Sequence, residues 1–275
     1  MSIISSFTRW KDPSGAMSLT DHIESLRWHI VRALCVVLLA AGWCFFHIEW
    51  IFTHILLAPA NPDFISYRMF CRLGKILHTD ALCMQSATIS FQNTELSGQF
   101  MMSFSASLVA GIIIASPYIL WELWRFVKPA LTEKEIQRTG GIVFWMAALF
   151  VAGTLFAYFI IVPFTINFFA GYQLSPQFQN IITIYNYYDT LNDLVLGMGL
   201  VFELPVLVYF LSRLSILTPE LMRRYYRFAV LIIFVLAAVV TPPDWLSIWL
   251  VAIPLAGLYH VSIWISAAVH RVKNK

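Results

Sequence analysis

Apolar residues in this chain gather in long runs and do not alternate with polar ones. Six runs stand out: about Ile30–Phe46, Phe104–Trp124, Gly141–Val162, Leu194–Leu211, Phe228–Val240 and Leu246–Ala268. Several approach or exceed the roughly 18–20 apolar residues that span a hydrocarbon layer. The pattern predicts an all-α integral membrane protein with six transmembrane helices. Pro117 lies in the second run, Pro163 ends the third, and Pro254 interrupts the sixth. The fifth run is short. Its 13 residues make about 20 Å of helix against a layer about 30 Å thick. Either Tyr225, Tyr226 and Arg227 carry that helix into the interface, or the bilayer thins around it. Pro242, Pro243 and Asp244 then form a helix-breaking corner, so the last two spans read as a hairpin.

The polar segments divide the chain further. Residues 1–29 form an inner-side segment with an amphipathic signature, 30–268 the six-helix membrane domain, and 269–275 a short basic tail. The loop from Phe52 to Gln99 is predicted to carry short helices lying across the outer face. The loop from Pro163 to Asp189 has no basic residue, and its tyrosines (Tyr185, Tyr187, Tyr188) suit a membrane interface. No internal repeat is visible, which counts against an inverted-repeat transporter.

Charge sets the orientation. Lys and Arg concentrate before or just inside span one, between spans two and three, between spans four and five, and after span six. Only Arg68, Arg72 and Lys75 fall on the other side. The positive-inside rule puts both termini on the cytoplasmic or matrix side. The overall content agrees: 12% of residues are charged and 59% hydrophobic, against roughly 25% charged in a soluble domain. The first residues lack the apolar core of a cleavable signal peptide, and Asp12, Asp21 and Glu24 argue against a transit peptide. The four cysteines have no metal-binding spacing. They read as packing residues, or as a Cys71–Cys83 bridge if that loop faces an oxidising compartment.

No enzyme motif stands out: no P-loop, no H-E-x-x-H, no G-x-S-x-G and no dinucleotide fingerprint. No cofactor and no nucleic-acid site is expected. His29 with Arg32, and His260 with His270, do not make convincing ligand pairs. Glu203 sits inside the fourth apolar run, with Pro205 two residues on. Its ordinary reading is a carboxylate satisfied by a neighbouring helix or protonated. Its functional reading is a polar docking point or ion site within the membrane, the default for an intramembrane acid. Pro205 loosens the helix there by removing a backbone donor. Asp21, Glu24, Glu133 and Glu135 form a second group on the inner side. They read either as solvated charges, with Glu24 paired to Arg27, or as an acidic patch for a basic peptide.

Four stretches carry a family resemblance. They are LTDHIESLRWHI (Leu19–Ile30), SPYILWELWRFVKPALTEKE (Ser116–Glu135), FELPVLVYFLSRLSILTPELMRR (Phe202–Arg224) and TPPDWLSIWLVAIPL (Thr241–Leu255). In this order they resemble TatC, the polytopic core of the twin-arginine protein translocase. The resemblance implies a curved, glove-like arrangement of six tilted helices. It implies a receptor for signal peptides bearing paired arginines, which moves or inserts folded proteins using the proton-motive force. The implied partners are those signal peptides, single-span TatA- and TatB-like subunits, further copies of the chain, and lipid.

Residue by residue, Glu135 matches the inner-loop glutamate that helps bind the signal arginines, with Phe126, Pro129 and Glu133 in the same segment. His22, Leu26 and Arg27 match the amino-terminal signature. Glu203 matches the acid that contacts a partner's helix, and Pro117, Pro205 and Asp244 match further family positions. One departure is local. The family places Glu directly before Leu-Arg, whereas here Ser25 stands there and Glu24 comes one residue earlier, about 100° round the helix. The richness in Phe and Trp, and that departure, resemble a plant-type, mitochondrially encoded member. The expected location is therefore the mitochondrial inner membrane, with a bacterial inner membrane as alternative. The competing functions are a proton- or ion-coupled solute transporter using Glu203, and a respiratory-complex assembly factor.

Overall fold

A computed structural model describes residues 19–76, 78, 91–130, 141–175, 177, 180–240 and 245–273. The first apolar run forms α1 (Leu19–Phe46), so the inner-side signature and the first span are one continuous helix. A short helix α2 (Ile48–Ile51), a π-helical turn (Phe52–Leu56) and a 3-10 turn (Ala58–Ala60) follow. Next comes the amphipathic helix α3 (Ile65–Ile76). The first outer loop therefore does carry short helices. Cys71 on α3 is disulfide-bonded, while Cys35 and Cys44 are free. Cys83 lies outside the described residues.

The second run is α4 (Gly98–Val127), unbroken through Pro117. Proline cannot donate to the carbonyl four residues back. The Ser116 hydroxyl donates to that carbonyl, of Ile113, at 2.8 Å, so the ladder loses a bond without stranding an acceptor.

The third run departs from expectation. It forms α5 (Ile142–Phe156), a π-helical turn (Ala157–Ile161) and α6 (Val162–Gly171). Pro163 does not end the helix. The widened turn precedes it and relieves the clash between the proline ring and the preceding backbone. The fourth run also begins earlier than predicted. A two-residue strand pair, β1 (Phe91–Gln92) with β2 (Ile182–Thr183), leads into α7 (Ile184–Val201). Thr183 caps α7 by accepting from the Asn186 N–H. The tyrosine cluster is thus helical, with Tyr187 and Tyr188 buried, and not an interfacial loop. After a break at Phe202 and Glu203 the chain resumes as α8 (Leu204–Arg213). The remainder is α9 (Pro219–Arg224), α10 (Tyr226–Val240) and α11 (Trp245–Lys273).

Among the described residues, five helical stretches are long and apolar enough to cross a membrane: Ile23–Phe46, Gly98–Val127, Ile142–Gly171, Ile184–Arg213 and Ile248–Arg271. The fifth run is apolar but shorter. Large side chains such as Leu39, Phe46, Phe144 and Trp264 stand exposed on these helices, a surface suited to lipid and not to water.

Packing is by neighbours. α1 lies along α4, α4 and α7 flank α5, and α8 and α10 pack on α11. Glycine stands at two close helix crossings. A Cβ on Gly111 of α4 would fall 2.7 Å from the Ala41 amide nitrogen of α1. A Cβ on Gly153 would fall 2.5 Å from the Met198 carbonyl. Small residues at such crossings let backbones approach and gain dispersion contact, the main attraction between helices in lipid. Ser212 and Ser266, both fully buried, add a 2.8 Å hydrogen bond between α8 and α11.

Three tyrosine hydroxyls secure the irregular backbone after α2. Tyr158 donates to the Ile55 carbonyl at 2.7 Å, Tyr187 to Leu56 at 2.6 Å and Tyr67 to Pro59 at 2.9 Å. Those carbonyls follow an interrupted helical ladder and would otherwise lack donors.

Candidate functional site

The α1 and α4 helices run antiparallel, so the start of α1 meets the end of α4. One side chain dominates that junction. Glu122, on α4, is 1% exposed. Its Oε2 meets the His29 imidazole of α1. Its Oε1 accepts from the Tyr118 hydroxyl at 2.9 Å and from Arg125 Nη1 at 3.3 Å. Arg32 Nη1 of α1 lies 3.7 Å from the same oxygen. Tyr118, Glu122 and Arg125 are spaced to share one face of α4, as His29 and Arg32 share one face of α1. A buried carboxylate is tolerable when both oxygens are supplied with donors or counter-charges, and here both are.

The sequence pattern does not single out Glu122, which the structure buries. Its signal was an acid near the end of an apolar run, four residues from a tyrosine. His29 and Arg32, set aside as a ligand pair, are instead its partners across the helix interface.

Around this junction the structure gathers part of the expected peptide-binding set. Glu24 and Arg27 are exposed on α1, and no ion pair joins them among the described residues. Ser25 is half-buried while Glu24 is exposed. The one-residue departure therefore turns the acid outward, as the helical rotation requires. Phe126 stands edge-on to the His29 ring at 6.1 Å. Pro129 is exposed in a 3-10 turn, Lys128–Ala130, directly after α4. His22 belongs to α1. Glu133 and Glu135 lie outside the described residues, as do Pro242, Pro243 and Asp244.

Glu203 stands apart from this group, at the break between α7 and α8. Its backbone carbonyl accepts from the Val206 and Leu207 amides at 3.0 Å each. Both carboxylate oxygens are buried without a hydrogen-bond partner among the described residues. Pro205, buried beside it, has no N–H to offer the Val201 carbonyl. The helix is interrupted where the sequence predicts loosening, and among the described residues no charged side chain pairs with Glu203.

A family model for the Sec-independent protein translocase protein (TatC) matches residues 21–254. The chain belongs to the TatC family. It is 36% identical over 265 residues to TatC of Blattabacterium sp. subsp. Periplaneta americana, covering 96% of this chain and 100% of that relative. TatC of Carboxydothermus hydrogenoformans is 34% identical over 254 residues, 91% of this chain and 93% of the relative. Among solved structures, the crystal structure of the twin-arginine translocase receptor TatC superposes with a TM-score of 0.68 at 27% identity, covering 90% of this chain and 99% of that one. TatC is a component of a protein translocase and not an enzyme. Within the TatC fold, then, this chain presents two separate polar features. One is a saturated carboxylate at the α1–α4 junction; the other is an unpartnered carboxylate at the α7–α8 break.

Proposed function

We propose that this chain is the signal-peptide receptor and core subunit of a twin-arginine translocase, moving or inserting folded proteins at the expense of the proton-motive force. The observation that carries the reading is the α1–α4 junction. Glu122 ties the start of α1, bearing exposed Glu24 and Arg27, to the end of α4, which leads directly into Glu133 and Glu135. A carboxylate receives a guanidinium through two parallel hydrogen bonds, a geometry lysine does not match. Two adjacent arginines therefore call for more than one acid at one surface, and Glu24 with Glu135 and Glu133 supplies them. His22, Arg27, Phe126 and Pro129 frame that surface. The test is binding of a twin-arginine signal peptide and its Lys-Lys counterpart. Binding that favours arginine and weakens about tenfold or more in Glu135→Gln supports the receptor. Equal capture of both peptides refutes it.

Glu203 takes a different part: it receives the polar side chain of a single-span TatA- or TatB-like partner helix. The burial of both its oxygens without a partner supports this over a transporter, which would need a second deep charge beside it. Further copies of the chain complete the assembly.

In the proposed topology α10 is the sixth span, shorter than the others, and both termini lie on the inner side. The basic-residue count and the disulfide at Cys71, placed in the first outer loop, both favour that orientation. The two relatives named above are bacterial. They support a bacterial inner membrane over the mitochondrial inner membrane that the aromatic content suggested.

A further inference from the structure

The Glu122 junction does not balance its charge. One carboxylate meets two guanidiniums, and among the described residues neither Arg32 nor Arg125 has another ion pair. Both approach the same oxygen, so their Nη1 atoms are held within about 7 Å of each other. A guanidinium carries five N–H donors, and Oε1 engages only one nitrogen of each. Their side chains remain 34% and 42% exposed. The Arg125 guanidinium also lies over the Trp121 ring, 4.8 Å from its centroid, which fixes its plane.

The surroundings are apolar. Trp28, Val31 and Leu34 on α1, and Trp121 and Leu123 on α4, are all exposed. Arg125 lies two residues from the end of the apolar stretch Gly98–Val127, and Arg32, nine residues into Ile23–Phe46, is brought beside it through Glu122. Tyr118 and Trp121 flank them, and such side chains settle at headgroup depth. Two pre-positioned guanidiniums at that depth present the donors a phosphate monoester or diester accepts. A free aqueous phosphate would satisfy the arginines but leave the apolar rim bare. A phospholipid satisfies both, with phosphate on the arginines and acyl chains along α1 and α4.

We propose that Arg32 and Arg125, held by Glu122 and flanked by Trp121, form a binding site for the phosphate of an anionic phospholipid at the α1–α4 seam. The proposal rests on the membrane-spanning reading of these helices and not on peptide recognition. Glu122 is a positioning residue in it: it aims the two arginines and touches no lipid.

The test uses the full chain in detergent. Phosphatidylglycerol or phosphatidylcholine is added, thermal stability is followed, and bound lipid is counted by native mass spectrometry. Phosphatidylglycerol should be retained and raise the melting temperature, and phosphatidylcholine should do neither to the same extent. Arg32→Gln/Arg125→Gln should weaken retention at least tenfold. If that pair fails to fold because Glu122 is stranded, adding Glu122→Gln removes the stranded charge and should show the same loss. Glu122→Gln alone keeps a side-chain oxygen that accepts from both arginines, so it preserves their placement and should keep phosphatidylglycerol bound. Arg271→Gln, a basic residue elsewhere, should change nothing. Equal retention of the two lipids overturns the site, as does retention unchanged in the double or triple variant, or an equal loss in Arg271→Gln. Stabilisation by millimolar inorganic phosphate that matches the lipid overturns the lipid assignment.

Discussion

The His29 imidazole and the Glu122 carboxylate, 93 positions apart in sequence, hydrogen-bond across the seam between α1 and α4. The contact joins two segments that the sequence places in separate spans, and Glu122 is too buried for solvent to replace a lost partner readily.

His29→Ala should therefore destabilise the chain by about 1–3 kcal/mol, the cost of leaving a buried polar atom unsatisfied. Glu122→Ala removes the acceptor and leaves Arg32 and Arg125 to solvent, a milder loss. In the receptor reading both variants also weaken signal-peptide binding, because α1 is no longer fixed against the end of α4. Thermal melts in detergent and peptide titrations on the same preparations check the two effects. Unchanged peptide affinity in a folded, destabilised His29→Ala chain would confine the contact to stability.

Gly111 sets the spacing of the same two helices further along. A valine there pushes its Cβ into the Ala41 backbone, which cannot swing aside as a side chain can. The expected loss is about 1–3 kcal/mol, typical of overpacking. Gly42 has open space around its Cβ position, so Gly42→Ala should be neutral or stabilising through helix propensity. Comparing the melting temperatures of the two variants separates close packing from a general effect of replacing glycine.

Glu203 should behave in the opposite sense. Its oxygens are buried without partners, so Glu203→Leu relieves a desolvation cost and raises the melting temperature of the isolated chain. The same change should abolish crosslinking to a single-span partner and leave twin-arginine peptide binding intact. A lowered melting temperature would mean that Glu203 is already satisfied within the chain.

Tyr67, on α3 outside the spans, has its hydroxyl pushed up to about 12 by burial. The folded state thus holds that proton longer than the unfolded chain, where tyrosine ionises near 10. Its contribution is complete below pH 10 and is lost as the pH rises through about 12. Tyr67→Phe should flatten that part of the alkaline unfolding curve and weaken the hold on the Pro59 carbonyl at neutral pH. Melting curves between pH 8 and pH 12 give the comparison.

The helices were legible because lipid imposes long apolar runs, and each predicted run is largely helical, the fourth with a break at Phe202 and Glu203 and the third with a π-turn. Their ends were less so. Pro163 reads as a terminator, yet a π-turn lets the helix pass it. Tyr185–Tyr188 read as interfacial because tyrosine favours both interfaces and buried acceptors, and only the fold supplies the acceptor, the Leu56 carbonyl. Glu203 was legible as an acid centred in an apolar run. Glu122 was not, because an acid near a run's end looks interfacial. Its burial depends on α1 arriving antiparallel with His29 at the right height, and hydropathy along one helix does not encode that.

The two π-turns touch: Tyr158, within Ala157–Ile161, donates to Ile55, within Phe52–Leu56. A π-turn holds one residue more than an α-turn, so each is a local surplus of chain that leaves the helix beyond it rotated. Trimming one residue from Ala157–Ile161 would restore ideal helix geometry and still damage the protein. Everything from Val162 to Gly171 would turn by about 100° relative to α5, carrying Phe164 away from Phe70 of α3. The irregular turn is thus the phase adjuster between the two ends of the third span, and single-residue deletions should be tolerated less there than substitutions.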